Sequence, residues 1–98
     1  MDKTFVASSD SHSVCIVTRG ADPKTLEVTE VRYGTVASYT PYTMAYFNTS
    51  SLGVATDRAR REFQAYKDSG EPEGQIYLDL LDAAYRKVEA FLYESSGY

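Results

Sequence analysis

His12 is the chain's only histidine, and it stands in the cluster Asp10-Ser11-His12-Ser13 with Cys15 close behind. A Ser/His/Asp or Cys/His nucleophilic arrangement would therefore have to use it. Catalytic constellations usually gather groups from separated segments, whereas these residues share one short stretch. The cluster reads more simply as a turn whose side chains hydrogen-bond their own backbone. Paired carboxylates could do acid/base work without histidine, but the spacing of Asp79, Asp82 and Glu89 does not set them apart from a wet helix face. A single histidine with scattered acids is no metal-ligand pattern, and the single cysteine excludes an internal disulfide or a multi-cysteine cluster. Gly20, Gly34 and Gly53 stand alone, so no glycine-rich phosphate loop is present. No catalytic residue, metal site or cofactor is expected, and the chain is read as a non-enzyme.

Two features point to binding. From Tyr33 to Thr56 there is no charged residue, yet the stretch holds Tyr33, Tyr39, Tyr42, Tyr46 and Phe47 among eight Ser or Thr. Tyrosine contributes a large contact area while freezing few torsions, and hydroxyls adapt their hydrogen bonds to a partner. Tyr39, Tyr42 and Tyr46 are the candidate contact residues, with burial in the core as the competing reading. The second feature is Arg58, Arg60 and Arg61, set near the start of an expected helix, where the dipole disfavours cations. They could hold a phosphate while a tyrosine stacks on a base. The alternative is pairing along the helix, Asp57 with Arg61 and Arg58 with Glu62.

The net charge is −4, which argues against sequence-independent binding of duplex DNA or anionic lipid. The acidity is concentrated late in the chain. Asp68, Glu71, Glu73, Asp79 and Asp82 occur with no base among them. Together with Glu89 they offer an acidic face to a basic protein partner, including one with a nucleic-acid groove, or they serve only as a solvated surface.

The 98 residues, 43% hydrophobic and 24% charged, fit one folded domain. No apolar run approaches the roughly 20 residues needed to cross a bilayer. The N-terminus also lacks the apolar stretch of a signal peptide, so a cytoplasmic location is expected.

The elements that would position these groups are read from periodicity. Thr4 to Ser8, Ser13 to Thr18 and Leu26 to Tyr33 carry strand composition, and the alternation slips by one residue between Val28 and Val31, which allows a bulge. Thr40-Pro41 resembles a helix start, which predicts a short helix near 41–47 unless Pro41 marks a loop. Leu52, Ala55, Ala59, Phe63 and Tyr66 recur at helical spacing, and that helix should end at Asp68-Ser69-Gly70. After Pro72 a second stripe runs through Tyr77, Leu80, Leu81, Ala84, Val88 and Phe91. The expected fold is α+β, with a small antiparallel sheet of about three N-terminal strands against two long C-terminal helices. Leu78, Tyr85 and Leu92 form a further apolar series on the last helix, either clamped within the monomer or meeting another copy in a homodimer.

In size, acidity and lack of a catalytic motif, the chain resembles phage-encoded anti-defence inhibitors, including anti-CRISPR proteins. That resemblance rests on general character alone and assigns no role to any residue. It implies a viral protein acting in a host cytoplasm. Two functions are carried forward: an inhibitor that engages a protein partner, and a nucleotide-binding or nucleotide-sequestering module built on the arginines and tyrosine stacking.

Overall fold

The computed structural model describes residues 2–20, 26–35, 42–45 and 52–95, with the backbone alone at 2, 42–45 and 95. Strands β1 (Asp2–Ser8), β2 (His12–Arg19), β3 (Glu27–Thr35) and β4 (Tyr42–Ala45) are followed by helices α1 (Leu52–Asp68) and α2 (Glu73–Ser95). The strands form one antiparallel sheet in the order β1-β2-β3-β4. This is the expected α+β class, with strands first and helices after.

Alternation decides which side of the sheet is covered. Ala7, Val14, Ile16, Val28, Val31 and Tyr33 are buried on the helix side. The slip between Val28 and Val31 is a bulge: the register shifts between Val17 and Thr18, and Thr29 drops out of the pairing. The extra residue lets Val28 and Val31 share a face although they are three apart. Ala55, Ala59 and Phe63 of α1, with Tyr77, Leu81, Ala84 and Val88 of α2, close the core from above. Each large side chain removed from water this way is worth roughly 1.5–3 kcal/mol before conformational entropy is charged against it.

The short helix expected near 41–47 is not formed; Tyr42–Ala45 is instead strand β4, paired to Glu30–Tyr33. Thr40-Pro41 is as compatible with entry into an edge strand as with a helix cap, since proline is tolerated where no ladder hydrogen bond is needed. The unpaired side of β3 supplied the partner, giving four strands where about three were expected.

The turn between the helices is tight. Gly70 has a φ of 90°, Gly70 N–H donates to the Lys67 carbonyl at 3.1 Å and Glu71 N–H to that of Tyr66 at 3.0 Å. These are the two bonds of a glycine-terminated helix end. The reversal sets Gly74, buried in the first turn of α2, directly against the Lys67 backbone. Leu78, Tyr85 and Leu92 are half-buried and pack against the core of their own chain. No helix among the described residues is long and apolar enough to cross a membrane.

Candidate interaction surfaces

The Asp10-Ser11-His12-Ser13 cluster folds as a turn. Ser9 N–H donates to the His12 carbonyl at 2.8 Å, and His12 N–H donates to Ser9 Oγ at 3.1 Å. Ser9 thus closes the hairpin with its backbone on one side and its hydroxyl on the other. Ser11 Oγ lies 2.6 Å from His12 Nδ1, and the imidazole meets Tyr77 edge to face with centroids 5.3 Å apart. His12 is buried, and its Nε2 has no hydrogen-bond partner among the described residues. It sits against an aromatic cluster. Tyr77 stacks on Phe63 at 5.1 Å, Tyr33 meets both edge to face, and the Tyr33 and Tyr66 hydroxyls are 3.0 Å apart. Burial, then the contact with the Tyr66 hydroxyl, pushes the Tyr33 phenol far above its ordinary range. Burial, then the charge of Glu73, raises Tyr77.

Tyr33 is therefore core. Tyr39 and Tyr46 lie outside the described residues, and Tyr42 is placed only by the backbone of β4, opposite Tyr33. Asp79, Asp82 and Glu89 are all exposed on α2, and their spacing of three and seven residues puts them on one side of it. Asp79 accepts from Gln75 Nε2 at 2.9 Å. Asp82 accepts from Arg60 at 2.5 Å, a bridge from α1 to α2. Of the arginines, Arg60 thus meets the acidic side of α2, through Asp82; all three lie in the middle of α1 rather than at its start, where the helix dipole would have acted on them. Arg58 and Arg61 are exposed on α1.

The β1–β2 turn and the first half of α2 frame a cleft of about 370 Å³ lined by Ser9, Asp10, Ser11, Ile76, Asp79 and Leu80. It has an apolar floor from Ile76 and Leu80 and two carboxylates at its walls. A lysine or arginine side chain suits such a site: its methylenes lie on the apolar floor while its charge faces Asp10 and Asp79. Asp10 and Asp79 are separated by most of the chain, so sequence spacing alone could not join them. The turn composition around Asp10 was the available signal.

On the opposite face of the sheet, Thr4, Val6, Ser13, Cys15, Arg32, Gly34 and Thr35 line a smaller but more enclosed depression of about 160 Å³. Burial raises the Cys15 thiol, the nearby Arg32 lowers it in part, and Glu30 raises it again. Among the described residues, no group of three His, Cys, Asp or Glu is placed to hold a metal ion. No family model matches this chain, and neither the curated proteins nor the solved structures provide a match.

Proposed function

We propose that this chain is a non-enzymatic binding protein that docks on a basic protein partner through the acidic side of α2 and inhibits it, in the manner of a phage-type anti-defence, anti-CRISPR-like inhibitor. The cleft between the β1–β2 turn and α2 carries the reading. Asp10 and Asp79, far apart in the chain, both line it beside Ile76 and Leu80. Asp82 and Glu89 lie further along the same side of α2, with the exposed Arg86 between them and Asp82 bridged to Arg60. A basic groove on the partner, such as one that takes nucleic acid, is complementary in sign, and such complementarity speeds encounter and sets register.

The test is an affinity pull-down from bacterial lysate with nuclease present, comparing the native chain with Asp10→Lys/Asp79→Lys. A basic protein captured by the native chain and lost in the variant, with the circular dichroism of both unchanged, supports the reading. Equal capture by both chains removes the cleft from the interface. Arg60→Ala/Arg61→Ala should leave capture intact. Its loss there would transfer the function to Arg60 and Arg61 and to an anionic ligand.

A further inference from the structure

β1 is an edge strand, paired only with β2 among the described residues. An edge presents unpaired N–H and C=O groups, a template for another strand. Which of its groups face outward follows from the hairpin turn. The Ser9 N–H to His12 carbonyl bond marks Ser9 and His12 as a hydrogen-bonded pair. In an antiparallel ladder such pairs alternate with non-hydrogen-bonded ones. Ala7 opposite Val14 and Phe5 opposite Ile16 are then bonded, whereas Val6 opposite Cys15 and Thr4 opposite Val17 are not. The backbone groups of Thr4 and Val6 accordingly point away from β2, along the open edge.

One of them is occupied from within the chain. Lys87 Nζ, reaching across from α2, donates to the Val6 carbonyl at 2.5 Å. Lys3, also on β1, lies over the Phe91 ring at 4.1 Å, and Phe91 meets Phe5 at 5.6 Å, so the same part of α2 is anchored along this strand. Val6 itself is 40% exposed on the uncovered face.

We infer that Lys87 is an edge guard, whose ammonium on the Val6 carbonyl keeps β1 from pairing with β1 of a second copy. A neighbouring strand that took this carbonyl would displace the ammonium. In a symmetric pair it would also bring the Lys3 and Lys87 charges of both copies together, a cost that a neutral side chain at 87 does not impose.

The test is the concentration dependence of mass, by analytical ultracentrifugation, for the native chain, Lys87→Met, Lys87→Gln and Lys87→Met/Thr4→Pro. The Thr4 N–H faces outward, so proline there blocks a new ladder without removing a bond to β2. Both single variants should self-associate at concentrations lower by about tenfold or more, a shift corresponding to roughly 1.4 kcal/mol. Thr4→Pro should return the methionine variant to native behaviour. Masses equal to the native chain's in both single variants overturn the guard. Association that survives Thr4→Pro shows that it does not run through β1 and overturns it as well.

Discussion

Replacing Gly74 by alanine should destabilise this protein, although the same change inside an open helix ordinarily stabilises by up to about 1 kcal/mol. A Cβ at position 74 would lie 2.7 Å from Lys67 Cα and 2.8 Å from Lys67 Cβ, and would also collide with the Lys67 backbone nitrogen. Carbon atoms pack best at roughly 3.5–4.0 Å, so the helices would have to separate by about 1 Å at their hairpin. The obstacle is mostly backbone and cannot rotate aside. Overpacking of this kind costs about 1–3 kcal/mol. The propensity gain at a first-turn position is smaller than that, which leaves a net loss of about 1–2 kcal/mol. For a chain of this size the loss corresponds to a fall in Tm of roughly 4–16 °C. Gly53 is the control: it lies in the first turn of α1, exposed, with nothing within 4 Å of the added carbon. Gly53→Ala should be neutral or stabilise by up to about 1 kcal/mol. Urea denaturation followed by circular dichroism measures both. A Gly74→Ala protein as stable as the native one would refute the close approach of α1 to α2 at this point.

Other expectations follow from single contacts. Thr18 is fully buried and its Oγ1 has no hydrogen-bond partner among the described residues, so Thr18→Val should stabilise by about 1–3 kcal/mol in the same assay; a loss would reveal a partner for that hydroxyl. Phe63→Ala removes a fully buried ring that touches Tyr33 and Tyr77 and should cost about 3–5 kcal/mol, read as a lost or greatly lowered thermal transition. Because the Tyr33 phenol is raised in the folded state, its contribution is fully present below the unfolded phenol value of about 10 and is lost as pH rises through the folded value. Native stability should therefore fall from about pH 10 upward, and Tyr33→Phe should shrink that slope; an unchanged slope would exclude Tyr33 as its source. Cys15, half-buried with a raised thiol, should react with iodoacetamide more slowly than the same thiol in urea-unfolded chain, as followed by mass spectrometry.

Periodicity within the chain was enough to read the strand pattern, the bulge and both helices, because each is a local statement about which residues can share a face. Val28 and Val31 fell out of step in the sequence, and only an extra residue in the strand reconciles them with one core. The stop at Gly70 was legible for a similar reason, since a φ of 90° is cheap only for glycine. The identity of Tyr42–Ala45 was not legible. Four residues after a proline carry too little signal, and the free side of β3 settled the matter.

The acidity of α2 belongs to the sequence, because charge is additive and its position on the helix follows from spacing. Its geometry does not. Pairing along the helix could be read for Arg58 and Arg61 but offered no partner for Arg60, which reaches Asp82 on the next helix once the Gly70 reversal lays the two side by side. Asp10 and Asp79 face one cleft, and Lys87 meets the Val6 carbonyl, only because the sheet and α2 pack across a shared core. Contacts between residues about 70 or 80 positions apart leave no periodic trace in the chain; burial of the apolar faces brings them together, and the polar groups at the rim are carried into place with them.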